Sequence, residues 1–237
     1  MSVKIIQEKL QSYAARSQQE EENAVKEITQ EIALAALSRA GFFKVAAFQG
    51  GTALRVLYSL DRFSEDLDFT LFQPDTKFKL ESYLKGLVHE FAAYGYAIEF
   101  QDRSKASLAV QKAFLKDASI GEVLNFQHQR KGGLERKIQI KLEIDTNPPS
   151  GSHTEEKYLD FPFPFAIAVQ DSPSLFAGKS HALLCREYIK GRDWYDFIWY
   201  TARKTQLNFE LLSNALDQQG PWKGQKLKAD AAWYREQ

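Results

Sequence analysis

Asp66 and Asp68 alternate with Leu67 and Phe69 in the segment "DLDFTLF", at positions that a strand built only to pack would fill with Val or Thr. Strand side chains two apart point the same way, so the two carboxylates project together from one face. Glu143 lies on the polar side of the alternating segment "KIQIKLEIDTN" and joins them if the two strands lie side by side. Asp145 is the second candidate for that third position. Three clustered carboxylates do not all stay ionised without a cation. Magnesium is the natural choice, with manganese as its substitute, because it takes hard oxygen ligands and shares its shell with phosphates. Two such ions roughly 4 Å apart would activate an attacking hydroxyl and stabilise a leaving pyrophosphate. A pair of aspartates two apart is, alone, more often an exposed acidic strand edge, so the neighbouring residues decide.

Those neighbours are "FQGGTALRVLYSLDRFSEDLDFTLF". Gly50 and Gly51 stand between a strand and a helix that starts near Thr52, where small residues let backbone N–H groups approach phosphates. A lone Gly-Gly marks an ordinary turn more often than a site. Strand, glycine pair, helix and "RFSEDLD" in that order within 25 residues form a much narrower pattern. Arg62 and Ser64 come just before the carboxylates, placed to bind phosphate oxygens through charge and hydroxyl.

A second block, "LFAGKSHALLCREYIKGRDWYDF", carries basic residues. On one helix running from Ser174, Lys179, Arg186 and Lys190 fall nearly on a line, since 7 and 11 residues are close to whole turns. Facing a cleft, that stripe would neutralise triphosphate or RNA phosphates; facing water, it would be an ordinary solvated helix side. Asp193 and Asp196 share a face, with Trp194, Phe197 and Ile198 expected to pack on another. Asp193 could orient Lys179 or Arg62, bind the incoming hydroxyl, or serve as a structural ion-pair partner.

The elements that position these residues follow from periodicity. Helical spacing covers 3–16 and 20–40, with Gly41 as the stop. "KVAAFQ" reads as a short buried strand and "LDFTLF" as a second, ended by Pro74. A helix over about 77–94, strands at "YAIEF", "SIGEVLNFQHQR" and "KIQIKLEIDTN", the loop "NPPSGSH" and a short strand "AIAV" follow. Beyond that the chain reads as helical to its end. The expected class is α+β: a mixed sheet flanked by helices over 1–170, then a helical portion over 171–237 that closes the cleft.

Composition bounds the partners. The chain has 237 residues, 44% hydrophobic and 26% charged, with 31 basic and 31 acidic side chains. It is long enough for a core without disulfides, and the lone Cys185 fits a reducing cytoplasm. Zero net charge argues against a broad nucleic-acid grip but not against a local basic groove. No window reaches the roughly 20 apolar residues of a membrane span, and the N-terminus has no signal-peptide pattern. His89, His128, His153 and His181 lack metal-ligand spacing, and there is no P-loop pattern. The basic runs "QHQRKGGLERK" and "WKGQKLK" could touch RNA, though such runs are more often solvated loops.

"GGTALRVLYSLDRFSEDLDF" resembles the signature of the AbiEii/AbiGii toxin family of the nucleotidyltransferase superfamily: a glycine pair, a spaced Asp-x-Asp and a later carboxylate on a neighbouring strand. Glu143 matches the third position, and the family's C-terminal lysine and basic-Asp-x-x-Asp motifs are matched by Lys179, Lys190, Arg192, Asp193 and Asp196. The resemblance implies a metal-dependent enzyme in which Asp66, Asp68 and Glu143 hold magnesium. Gly50, Gly51, Thr52, Arg62 and Ser64 would position a nucleoside triphosphate, Lys179 and Lys190 would counter its charge, and Asp193 would assist. It further implies the toxin of a toxin–antitoxin or phage-defence pair, with a tRNA 3′ end as acceptor and a cognate antitoxin as partner. Two other readings keep the fold: transfer to a protein side chain or small molecule, and a non-catalytic nucleotide- or partner-binding module.

Overall fold

The computed structural model describes residues 2–102, 110–117, 119, 124, 126–128 and 138–237. Seven strands form one mixed sheet in the order β3-β4-β5-β2-β1-β7-β6: β1 (Ala46–Gln49), β2 (Asp66–Leu71), β3 (Glu99–Asp102), β4 (Val110–Asp117), β5 (Ile138–Asp145), β6 (Thr154–Leu159) and β7 (Phe165–Gln170). The central strands β2 and β5 run parallel, as do β1 and β7, while the other neighbouring pairs are antiparallel. Around them lie α1 (Ser2–Ser12), α2 (Gln18–Arg39), α3 (Gly50–Tyr58), α4 (Glu81–Ala93), α5 (Ser172–Cys185), α6 (Gly191–Ala202), α7 (Phe209–Gln218) and α8 (Ala231–Glu236). The expected α+β class with a mixed sheet and flanking helices is what the chain adopts. Among the described residues, no helix is long and apolar enough to cross a membrane.

α2 carries much of the main core. Its N-cap Ser17 accepts from the Glu20 N–H, and Ile28, Ile32, Leu34 and Leu37 are wholly buried. Phe42, Phe48 and Phe69 interlock beneath the sheet, Phe42 edge-on to Phe69 at 5.0 Å between centroids. Each fully buried Phe of this kind stabilises by about 1.5–3 kcal/mol. The outcome is a packed platform under β1 and β2, the strand that leads into the glycine pair and the strand that bears Asp66 and Asp68.

Four expectations differ from what the structure describes. β4 and β6 were not anticipated: "VQKAFLKD" alternates poorly, and "TEEKYL" is a largely exposed, polar edge strand with no apolar period to read. The strand expected over 119–130 lies mostly outside the described residues, and those described there are in no strand. The single helix expected from Ser174 is two, because Arg186 turns to extended backbone (ψ 135°) and the chain re-enters helix only after Lys190, the N-cap of α6. Finally, Trp194 and Ile198 are not buried: Ile198 is exposed, and Trp194 meets Phe197 edge-on at 6.0 Å between centroids yet stays half exposed.

Candidate active site

α3 begins where β1 ends. Gly50 has φ +80°, the left-handed region, and a Cβ there would lie 2.5 Å from Oδ2 of Asp68. At Gly51 a Cβ would lie 2.7 Å from Nη2 of Arg62 and 3.0 Å from Oγ of Ser64. The two glycines therefore let the start of α3, whose first N–H groups have no intrahelical acceptor, rest against the carboxylate on one side and Arg62 and Ser64 on the other. Thr52 is buried, and its Oγ1 donates to the carbonyl of Asp66, tying α3 to β2. Gly50→Ala is expected to lower Tm by about 2–8 °C, from about 1–2 kcal/mol of left-handed strain, and to displace Asp68. Thermal melts and nucleotide-binding isotherms of the variant check both effects.

Strand register lines up the charged groups. Gln49 pairs with Asp68, Asp68 with Glu143, and Glu143 with Lys112, so one row crosses β1, β2, β5 and β4. Asp145 pairs with Thr70, two residues along β5, and its Oδ1 accepts from the Asn147 N–H. Burial, then repulsion from Asp66 and Glu143, pushes the Asp68 carboxyl up to about 7. Burial would raise Glu143 as well, but hydrogen bonds from Lys112 (2.7 Å) and Lys141 (2.8 Å) to its Oε1 prevail and hold it below the usual range. Among the described residues, no three His, Cys, Asp or Glu side chains are drawn together tightly enough to enclose a metal ion. The donor set nevertheless suits a hard divalent cation. Asp66 and Asp68 are oxygen donors on one face, and the repulsion that raises Asp68 is what a cation relieves.

The opposite wall comes from α5 and α6. Asp196, wholly buried, accepts a bidentate pair from Arg62 at 2.7 and 2.6 Å and also meets Lys179 at 2.9 Å. Lys179 reaches Asp193 at 2.8 Å, Arg186 reaches it at 3.0 Å, and the Lys190 N–H closes on it at 3.3 Å. Burial opposes ionisation of Asp193, yet these partners hold its carboxyl low. A cleft of about 370 Å³ lies between the walls, bordered by the glycines, Asp66, Asp68, Glu143, Arg62, Ser64, Lys179 and Asp193. Lys190 is exposed and does not border it, while Arg186 and Arg192 do.

Lys112, Lys141 and Gln49 were missed as site residues. Lys141 stands two residues before Glu143 on the same strand face, a legible signal. Lys112 sits on β4, a strand the periodicity did not reveal, so its place in the row was not legible.

A family model described as nucleotidyl transferase AbiEii toxin, type IV toxin–antitoxin system, matches residues 32–236. No curated protein matches the chain. Among solved structures, JHP933 from Helicobacter pylori is 18% identical with a TM-score of 0.53, over 86% of this chain and 75% of its own. A second H. pylori structure, provisionally named a nucleotidyltransferase, is 18% identical with a TM-score of 0.50, over 88% and 84%. Both likenesses concern the fold.

Proposed function

Because the chain belongs to the AbiEii nucleotidyltransferase toxin family of type IV toxin–antitoxin systems, we propose that it transfers a nucleoside monophosphate from a nucleoside triphosphate to an RNA 3′ hydroxyl, with a tRNA end as the acceptor. It would act in the cytoplasm and be held in check by a cognate antitoxin. The observation that carries this reading is the contact of Gly50 with Asp68, which sets the free N–H groups of α3 beside the carboxylate pair. Anion and cation sites are thereby neighbours, as a metal-bound triphosphate requires.

Asp66 and Asp68 would hold magnesium or manganese, with Glu143 added on release from its lysines. The cation supplies neutralisation of charge on the phosphates and a lowered proton affinity for a bound hydroxyl. The chain's own groups bind and orient. Helix α3 N–H groups, Ser64 and the remaining Nη protons of Arg62 would meet phosphate oxygens, with Arg62 kept rigid by Asp196 and by the Phe63 carbonyl that Nη1 donates to. Arg186 and Arg192 add positive charge at the rim. An adjoining space of about 840 Å³ shares Gln49, Asp145 and Arg186 with the cleft and offers room for the nucleoside. In the reaction, the acceptor hydroxyl gives up its proton to solvent water as its oxygen forms a bond to the α-phosphorus, the α–β phosphoanhydride bond breaks, and pyrophosphate leaves with its electron pair. While Lys112 and Lys141 engage it, Glu143 is held as an anion whose Oε1 is already occupied.

Lys112→Met is expected to weaken triphosphate binding several-fold while tightening Mn²⁺ binding, because Glu143 then has one cationic partner fewer. Calorimetry with each ligand separately checks this. The activity itself is tested by incubating the protein with each α-labelled nucleoside triphosphate, magnesium and total RNA, beside an Asp66→Ala/Asp68→Ala variant. Label entering tRNA-sized RNA with the intact protein alone supports the reading. Label entering protein or a small acceptor replaces the acceptor, and nucleotide binding without transfer replaces the activity.

A further inference from the structure

Four of the eight large apolar side chains exposed among the described residues fall between 188 and 198. Tyr188 is 78% exposed, Trp194 50%, Tyr195 44% and Ile198 62%. At 100° per residue, Trp194, Tyr195 and Ile198 share one side of α6, opposite the buried Asp193, Asp196 and Tyr200. Charge in the same stretch is one-sided. The exposed charged residues from 186 to 204 are Arg186, Lys190, Arg192, Arg203 and Lys204 against Glu187, four basic to one acidic once Arg186 is set against Asp193, in a chain of zero net charge. Its two aspartates are buried and already matched by Arg62, Lys179 and Arg186. The strip is also continuous with the cleft, since Arg186 and Arg192 border both.

Rings interleaved with cations are what a single strand of nucleic acid needs: each base has a face that stacks, and each phosphate has a charge to be met. A duplex hides its base faces and would use the cations alone. We propose that the exposed strip from Tyr188 to Ile198, with Arg192, Arg203 and Lys204 at its flanks, is a stacking track for a single-stranded RNA end entering the cleft. As the acceptor's track, it rests on the nucleotidyltransferase reading.

The test uses the full chain and a short fluorescein-labelled RNA, single-stranded or annealed to its complement, with fluorescence anisotropy as the readout. The single strand should bind more tightly than the duplex. Trp194→Ala/Tyr195→Ala should weaken it at least about tenfold, given about 1–3 kcal/mol per stacked base, and leave triphosphate affinity unchanged. Equal binding of both RNA forms, or an unaffected double variant, overturns the track. So does sedimentation in which the intact protein self-associates through these residues while RNA is ignored, which assigns the face to a second copy of the chain. The two readings fail separately. RNA binding that depends on the strip, with no nucleotide transferred, sinks the activity and keeps the track. RNA labelled equally by the intact protein and the surface variant keeps the activity and sinks the track.

Discussion

Asp68→Asn is expected to abolish nucleotide transfer, by about a thousandfold or more, and at the same time to stabilise the cation-free protein. The opposite signs have one cause. Asp68 shares its face with Asp66, pairs in register with Glu143, and has its carboxyl pushed from 3.8 to about 7 by burial and by those two charges. Between those values the folded chain holds a proton that the unfolded chain has lost. Its stability therefore falls as pH rises through that window, and above about 7 it carries the whole penalty of an ionised carboxylate. An amide has no such penalty. Melts at pH 8 without divalent cation should place the Asn variant at least about 2 °C above the parent. The gap should close toward pH 4. Millimolar Mg²⁺ should raise the parent and leave the variant in place. A variant that melts lower at pH 8 would show that Asp68 acts as a structural anion and would remove the physical argument for a cation there.

That tension was partly legible beforehand. Alternation in "DLDFTLF" puts both aspartates on one face whatever the fold, because the period of a strand is a local property. Gly50 was legible too, since a glycine between strand and helix answers to a backbone demand. The structure adds its second reason, the closeness of Asp68. What periodicity does not carry is which strands become neighbours. Glu143 stood first and Asp145 second for the third carboxylate, but the strand pattern alone did not separate them; register sets Glu143 opposite Asp68. Lys112 was invisible because β4 was. The break at Arg186 was also hidden, since the basic residues before and after it keep a helical spacing while the backbone does not. Lys179 and Arg186 nonetheless converge on one acceptor, Asp193, across the break.

Convergence of that kind bears on what Lys179 does. A lysine whose task is to meet a triphosphate should be poised with a loosely engaged ammonium. Lys179 instead bridges two buried carboxylates, Asp193 at 2.8 Å and Asp196 at 2.9 Å, with its own side chain only 15% exposed. Each carboxylate has one further cationic partner, Arg186 for Asp193 and Arg62 for Asp196. Removing the shared cation leaves two buried anions on α6 with half their compensation. Lys179→Met is therefore expected to cost about 2–4 kcal/mol, near the lower end of the range for breaking a buried pair, and to lower Tm by roughly 4–16 °C without any nucleotide present. Because Asp196 also fixes Arg62 against Gly51, the damage should spread to triphosphate binding. Lys179→Arg, which keeps the charge, should recover most of the melting temperature. The contrary result is equally clear. If Lys179→Met melts with the parent while triphosphate affinity collapses, the ammonium serves the ligand, and the pairs with Asp193 and Asp196 are where it waits rather than what it holds together.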